Sequence, residues 1–406
     1  MPIKSIIYSI LIAMHVSTAV YRSSGRRTSW QHVHGSHVRR IPTQHTTIAC
    51  RAQGIESHNG LVPTRRLAPQ EAQEAWQRGN EIGMEANRVE SLYSSQLGGI
   101  VTDGRMMGMN IDESLVLHGH GVYEHLVVMD GHVYQLDDRI DRLIAMSDRA
   151  NIRLPSKWHR EQLKRIVLET IAAGKCLEGT VTVVVSLGRS RGVSYDMASH
   201  NSRRMEASLY VLYSREDPTK ADSDDYLNGW RVKTSPVPCK PGYFARLKST
   251  DRFQDTMVVL DAQAEGCQTG IYVDSEGYVA GAPEANVAFL QEDGTLLIPE
   301  TECAVTTLSL SRLLELVEQH HGDVDISKIE KRQVSVQEAK GSVEMMLIGS
   351  QYPVMPVVAW DGGAIGDGTV GVVSLQLRTL LQSDAHPETC GSSLHTEVPY
   401  GYLTGM

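Results

Sequence analysis

The residues best suited to covalent chemistry surround Lys248, which follows Lys233-Thr234 and a proline-rich approach, Pro236–Pro241. A single lysine held between regular elements presents its amine to an aldehyde. Burial or a neighbouring cation lowers the pKa of such an amine and makes it nucleophilic. The segment Gly281–Phe289, GAPEANVAF, begins 33 residues later. Together these features predict a covalent lysine site formed by a turn, a helix and a hairpin.

Two further segments belong to the same pattern. Gly119–Glu124 reads GHGVYE, and Leu136–Leu143 contains the run Asp141-Arg142-Leu143. With Lys248 and the GAPEANVAF segment, these motifs resemble the class-IV aminotransferases, which are fold-type IV pyridoxal phosphate enzymes. The resemblance covers roughly Ile111 to Trp360.

The resemblance implies a set of cofactor-binding residues. Pyridoxal phosphate needs an amine, donors for its phosphate, a partner for its ring nitrogen and a wall against the ring. Lys248 is the implied amine, and Arg142, whose planar fork suits a dianion, is the implied phosphate ligand. The helix start after Thr306 and the turn at Gly349-Ser350-Gln351 supply backbone N–H groups and hydroxyls. The implied cofactor-binding residues are therefore Arg142, Lys248, Glu284, Asn286, Thr307, Leu308, Ser309 and Ser350.

The ring-nitrogen position departs from the family pattern. Gly281 stands where the family has a glutamate, whereas Asn286 is preserved. Glu284 is the candidate replacement for the missing carboxylate. Next to Lys248, Asp251-Arg252 replaces the family's Asn-Tyr. Without a ring-nitrogen carboxylate the cofactor is a weaker electron sink, so a degenerate, non-catalytic relative is a second hypothesis.

Substrate recognition is implied less fully. Tyr123 matches an aromatic residue that lines the family's site. Bacterial D-amino acid transaminases carry an arginine that traps the substrate carboxylate, but Leu187 occupies that position here. Arg189 and Arg191, in the loop beyond it, are the candidate replacements.

The resemblance points most closely to plant-type plastid D-amino acid transaminases and the related aminodeoxychorismate lyases. The predicted function is amino transfer on a D-amino acid. The alternatives are release of 4-aminobenzoate and pyruvate, or branched-chain amino transfer. Lys248 serves all of these reactions and cannot distinguish them. The resemblance also implies a homodimer that acts on small amino and keto acids.

Composition excludes several other classes. The 406 residues are 41% hydrophobic and 21% charged, with a net charge of −9. This composition is typical of a globular protein with two domains, and the acidic balance argues against nucleic acid or an anionic membrane as partner. The six cysteines lack metal-binding spacing and no HExxH motif occurs, so we expect reduced thiols and no metal site.

The N-terminal segment has a different character. Residues 1–55 contain no acidic residue but seven basic ones; 32 basic and 48 acidic residues remain, a net charge of −16. Ser5–Val20 is apolar like a signal-peptide core, and the Arg-, His- and Ser-rich stretch behind it resembles a transit peptide. We therefore predict a cleaved leader, a plastid location with the mitochondrion as second choice, and no membrane association of the mature protein.

The remaining sequence predicts an α+β fold. The resemblance implies a smaller N-terminal α/β sandwich domain and a larger C-terminal β-barrel-like domain with outer helices. The predicted organisation is a leader (1–56), a polar lead-in (57–97), the small domain (98–215), the cofactor domain (229–365), and a helix with a polar tail (366–406). Asp130-Gly131 predicts a hairpin turn. Periodicity predicts helices at Asp138–Ala150, Ser156–Ala173, Phe253–Ala264, Thr307–Gln319 and Val373–Leu381.

Overall fold

The computed structural model describes residues 64–189, 206–215, 224–304, 307–320, 322–388 and 393–403. The predicted leader, residues 1–56, and Arg191 lie outside these described residues. Residues from Leu67 onward form a compact unit that contains both sheets. Among the described residues, none of the helices combines the length and apolarity needed to cross a bilayer.

The regular elements alternate along the chain. The helices are α1 (Pro69–Ala86), α2 (Ser114–Leu117), α3 (Leu136–Arg149), α4 (Arg160–Gly174), α5 (Asp224–Asn228), α6 (Gly242–Ala245), α7 (Phe253–Ala264), α8 (Leu308–Gln319), α9 (Val336–Lys340) and α10 (Val372–Ala385). The strands of the first half are β1 (Val89–Ser94), β2 (Gly99–Val101), β3 (Gly121–Met129), β4 (His132–Tyr134), β5 (Gly179–Ser186) and β6 (Ser208–Arg215). The later strands are β7 (Trp230–Thr234), β8 (Thr269–Val273), β9 (Val279–Gly281), β10 (Ala285–Leu290), β11 (Thr295–Pro299), β12 (Lys328–Arg332), β13 (Glu344–Gly349), β14 (Met355–Trp360), β15 (Gly363–Ala364) and β16 (His395–Glu397).

The first sheet is antiparallel and has the order β16-β4-β3-β5-β6-β1-β2 among the described strands. The β3–β4 hairpin turns at Asp130 (φ 47°) and Gly131 (φ 72°), as the Asp-Gly pair predicts. Helices α3 and α4 contribute Ile140, Leu143 and Ile166 to the core beneath this sheet. Their burial, worth roughly 1.5–3 kcal/mol per large side chain, fixes the strand β3 that enters the site.

The second sheet is mixed, with the order β12-β11-β10-β13-β14-β7-β8-β9 among the described strands and β15 beside β14. Strand β13 is buried on both faces: Met345 and Leu347 pack in one core, while Met346 and Ile348 pack in another with helices α8 and α10. Alternate residues of a strand point to opposite faces, so this central strand separates two apolar layers. A sheet covered on both faces holds the hairpin β9–β10 beside the site.

Most predicted elements are confirmed, with small shifts. Helix α7 has the predicted bounds, Phe253–Ala264, and Thr307 caps α8 by accepting a hydrogen bond from the Leu310 N–H. Helix α4 differs from the predicted helix Ser156–Ala173: it begins at Arg160, and Ser156 does not cap it. The buried Trp158 instead donates its N–H to the Pro155 carbonyl in a preceding turn. The predicted domain bounds stay predictions.

Candidate active site

A cavity of about 110 Å³ lies around Lys248. Six of the predicted residues line it: Tyr123, Arg142, Lys248, Glu284, Asn286 and Thr307. They come from β3, α3, the segment between α6 and α7, the turn between β9 and β10, strand β10 and the start of α8. The fold therefore brings together residues that lie up to 184 positions apart in the sequence, from 123 to 307.

Lys248 is held by backbone hydrogen bonds to strand β3. The Tyr123 N–H donates to the Lys248 carbonyl at 2.9 Å, and the Thr250 N–H donates to the Gly121 carbonyl at 2.9 Å. The Lys248 side chain is 14% exposed. Burial lowers the pKa of its amine, and the nearby Arg142 and Arg139 act in the same direction, while Glu124 and Glu284 oppose them. The amine is therefore more easily deprotonated than that of an exposed lysine, as a nucleophile requires.

Glu124 forms a buried ion cluster with two arginines of helix α3. Its carboxylate accepts two hydrogen bonds from Arg142, at 2.5 and 2.9 Å, and lies 3.6 Å from Arg139 Nη1. Glu124 is 1% exposed and Arg139 is 2% exposed. Arg142 uses two of its five N–H donors in these bonds, so the guanidinium retains donors for a second anion. Glu124 thus orients the predicted phosphate ligand and balances its charge.

Glu284 forms a second acidic contact with the lysine. It lies in the turn after β9 with φ 63°, and its carboxylate accepts a hydrogen bond from the Tyr123 hydroxyl. The carboxylate is 3.8 Å from Lys248 Nζ and 3.5 Å from Arg252 Nη2. Burial and Glu284 together raise the pKa of the Tyr123 phenol, which keeps it protonated as a donor. Burial lowers the pKa of the adjacent His125 to about 3, so this imidazole is neutral.

The start of helix α8 forms the third wall. The Asn286 side-chain oxygen accepts a hydrogen bond from the Thr307 N–H at 2.8 Å, which ties strand β10 to the helix start. Ser309 is buried in the first turn, where N–H groups at a helix N-terminus favour an anion. Leu308 and Ser309 follow Thr307 in the chain but do not themselves line the cavity.

Ser350 is placed beside an arginine that the sequence pattern did not single out. Its hydroxyl accepts a hydrogen bond from Arg139 Nη1 at 3.3 Å. Arg139 Nε is buried and has no hydrogen-bond partner within the described part of the chain. A buried guanidinium N–H without an acceptor is unusual, so this region retains donor capacity for an anion. The position of Arg139, one helical turn before Arg142, was the available signal.

Of the two predicted substrate arginines, only Arg189 is among the described residues, and it does not line this cavity. Arg189 forms a bidentate ion pair with Asp112, with contacts of 2.8 to 3.0 Å, and its side chain is 53% exposed. Arg191 falls outside the described residues. Tyr123, by contrast, lines the cavity beside Lys248.

Among the lining residues that the sequence patterns missed are Lys240, Asp255 and Tyr272. They belong to a loop, to helix α7 and to strand β8, and Asp255 accepts a hydrogen bond from each of the other two. Their separation in sequence gave no local motif.

Across the described ranges, His, Cys, Asp and Glu nowhere form a group of three or more suited to a metal ion.

Known proteins resemble this chain in sequence over most of its length. The family described as "Amino-transferase class IV" matches residues 121–360, more than half of the chain. A chloroplastic D-amino-acid transaminase of Arabidopsis thaliana is 30% identical over 89% of this chain and 91% of its own length. Branched-chain-amino-acid aminotransferase-like protein 1 of the same plant is 23% identical over 70% of this chain but only 49% of its own length.

A solved structure supports the fold. The branched-chain amino acid aminotransferase of Thermoproteus uzoniensis, solved with norvaline, superimposes with a TM-score of 0.65 at 16% identity, covering 76% of this chain and 99% of that one. A second branched-chain amino acid aminotransferase, solved with pyridoxamine 5′-phosphate, gives a TM-score of 0.67 at 17% identity with the same coverage of both chains. The predicted α+β fold-type IV architecture is thereby confirmed.

Proposed function

The chain belongs to the class-IV aminotransferase family, and from this premise we propose that it is a pyridoxal phosphate-dependent aminotransferase acting on D-amino acids. The observation that carries the proposal is the buried amine of Lys248 on a cavity that also presents Arg142 and the start of helix α8. Members of this family act on amino and keto acids. The D-specificity is supported by similarity to the chloroplastic transaminase.

The residues present fit the cofactor. Lys248 supplies an amine with a lowered pKa, and Arg142 with the helix start at Thr307 supplies donors for a phosphate. The partnerless Nε of Arg139, assessed over the described residues, adds donor capacity near Ser350. Bound pyridoxal phosphate supplies an aldehyde and an electron-accepting ring. We propose Arg142, Lys248, Asn286, Thr307, Leu308, Ser309 and Ser350 as the residues that hold it.

The protein's own residues would carry out the proton transfers of the reaction. Lys248 accepts and returns the substrate's α-proton at Nζ, because burial lowers the pKa of this amine and so makes its basic, unprotonated form more accessible. Glu284 and Tyr123 lie against this amine, so they orient it by charge and by the face of the phenol ring. Burial of Lys248 and Glu284 excludes bulk water from the proton-transfer step.

Branched-chain amino transfer is the second candidate, because both fold neighbours and one curated relative carry that name. Aminodeoxychorismate lyase activity uses the same lysine and is included in the test. We further propose a homodimer, which the family resemblance implies. A plastid location is supported by the chloroplastic relative and by the acid-free leader.

The function is tested with purified protein and added pyridoxal phosphate. Borohydride reduction followed by peptide mapping should label Lys248, and D-amino acids should bleach the visible absorbance band and yield keto acids. A panel of D- and L-amino acids with pyruvate and 2-oxoglutarate, run beside aminodeoxychorismate, identifies the reaction. Turnover restricted to L-branched-chain substrates would replace the D-specific assignment. A cofactor that labels another lysine would overturn the proposal.

A further inference from the structure

A second buried polar cluster, the Asp255 triad, lines the same cavity as Lys248. It consists of Asp255, Lys240 and Tyr272. One carboxylate oxygen of Asp255 accepts a hydrogen bond from Lys240 Nζ at 2.6 Å, and the other accepts one from the Tyr272 hydroxyl at 2.8 Å. Asp255 and Tyr272 are each 8% exposed. Removing charges from water is costly, so a buried charged cluster facing a cavity requires an explanation.

Gly281 connects this triad to the missing glutamate. Strand β9 pairs with β8 so that Gly281 lies directly opposite Tyr272. Side chains at opposed positions of an antiparallel pair project from the same face of the sheet. A Cβ at Gly281 would meet the Ala285 carbonyl oxygen at 3.2 Å, tighter than an ordinary contact, and the φ of 151° at this position favours glycine. The absent side chain therefore leaves room on the face that carries Tyr272, whose hydroxyl is bonded to Asp255.

Glu284, the replacement expected from sequence, has other partners. Its carboxylate contacts Tyr123, Lys248 and Arg252. These contacts place its charge beside the reactive amine. Of the two carboxylates that line the cavity, Asp255 is the one associated with the strand pair that contains Gly281.

We propose that Asp255, oriented by Tyr272 and Lys240, pairs with the ring nitrogen of the cofactor in place of a side chain at position 281. The inference rests on the proposed function and assigns a further cofactor-binding residue to the same site. A carboxylate next to the pyridine nitrogen stabilises its protonated form. Protonation makes the ring a better electron acceptor, which amino transfer requires.

Lys240 and Tyr272 stabilise the charge of the Asp255 carboxylate and fix its orientation. Lys240 balances its charge in the buried cluster, and Tyr272 holds one oxygen through a neutral donor. Asp255 also lies in the first turn of helix α7, where the helix dipole favours a negative charge. Each Asp255 oxygen can accept a further hydrogen bond in addition to its present one.

The test uses holoenzyme loaded with pyridoxal phosphate that carries ¹⁵N in its ring. In the wild-type protein the ring-nitrogen NMR resonance should lie at the protonated position. Asp255→Asn should move it toward the unprotonated position and weaken cofactor binding by about 10- to 100-fold, the loss of one charged hydrogen bond. Tyr272→Phe, which keeps the carboxylate, should shift the resonance in the same direction by a smaller amount.

Asp261→Asn is the matched control, because Asp261 lies on the same helix and forms an ion pair with Lys233 at 3.0 Å. It should leave the resonance and the affinity unchanged. A resonance that stays protonated in Asp255→Asn, or that moves only in Glu284→Gln, would overturn the inference. Circular dichroism confirms that each variant is folded. Borohydride labelling of Lys248 separates the two claims: a labelled lysine with an unaltered resonance refutes only the role of Asp255.

Discussion

Glu124 and Glu284 both lie near the amine of Lys248, but the protein holds them in different ways. Glu124 projects from the middle of a sheet, is 1% exposed and is bound by two arginine donors at 2.5 and 2.9 Å. Glu284 lies in a turn with a left-handed backbone, is 11% exposed and is 3.5 Å from a half-exposed arginine, Arg252. The first carboxylate is part of the core, whereas the second depends on contacts at the cavity.

The difference explains how Lys248 can lie near two carboxylates and still remain nucleophilic. Glu124 is paired with Arg142 and Arg139, so its attraction for the Lys248 proton is offset by those arginines. Glu284 acts on the amine more directly, through a 3.8 Å contact. We therefore expect Glu124 to govern stability and phosphate binding, and Glu284 to govern the reactivity of Lys248.

The largest effect is expected from the residue that both carboxylates flank. Lys248→Ala should abolish covalent attachment of the cofactor and reduce turnover by at least ~10²–10⁴-fold, the usual contribution of a general acid–base group. Peptide mapping after borohydride reduction and keto acid assays measure the two effects. The variant should remain folded by circular dichroism. Activity close to that of the wild type would remove Lys248 from the mechanism.

The second effect concerns the core carboxylate. Glu124→Gln leaves the buried Arg139 and the part-buried Arg142 without their anion, so the free energy of unfolding should fall by about 3–5 kcal/mol. Urea denaturation measures the change. Glu161→Gln, which alters an ion pair with the exposed Arg160, is the control and should change stability by less than about 1 kcal/mol. Equal effects of the two substitutions would contradict the structural role of Glu124.

The third effect concerns reactivity. Glu284 raises the pKa of Lys248 in opposition to burial, so Glu284→Gln should lower that pKa further. The pH midpoint for covalent attachment of an aldehyde to Lys248 should then move to lower pH, while stability changes by about 1 kcal/mol. Initial rates of borohydride trapping across the neutral to alkaline range measure the midpoint. A midpoint that stays unchanged or rises in Glu284→Gln would contradict this effect of the carboxylate on the amine.

The smallest effect on stability is expected from the half-exposed Arg252. Arg252→Ala removes a side chain that is 43% exposed and only 3.5 Å from Glu284, so stability should change by about 0–1 kcal/mol. Arg160→Ala, at 40% exposure, is a matched surface control. Thermal unfolding compares them. A loss of several kcal/mol in Arg252→Ala alone would mean that Glu284 is held as firmly as Glu124.

Local signals account for what could be predicted from sequence. The bounds of helix α7, the Asp-Gly hairpin and the start of helix α8 next to Thr307 follow from periodicity and turn chemistry, which act over a few residues. Lys248 and Asn286 were found because they sit in short segments with a recognisable order. The structure places both on the same cavity.

Partners distant in sequence could not be assigned. Arg142 was singled out as a phosphate ligand, but its buried partner Glu124 depends on how α3 packs against β3. Asp255 was missed because its bonds to Lys240 and Tyr272 join a loop, a helix and a strand. Helix α4 begins at Arg160 and not at Ser156, and the burial of Trp158 just before it depends on tertiary packing, which no local rule specifies.

The hydrogen bond from the Tyr123 N–H to the Lys248 carbonyl has a consequence for assembly of the enzyme. The lysine lies between strands β7 and β8 of the second sheet, while its backbone partner lies in strand β3 of the first. Under the proposed function, capture of the vitamin B6 derivative therefore requires both sheets to have docked. A ligand that binds only this docked state shifts the folding equilibrium toward it, so cofactor supply should determine how much mature protein accumulates.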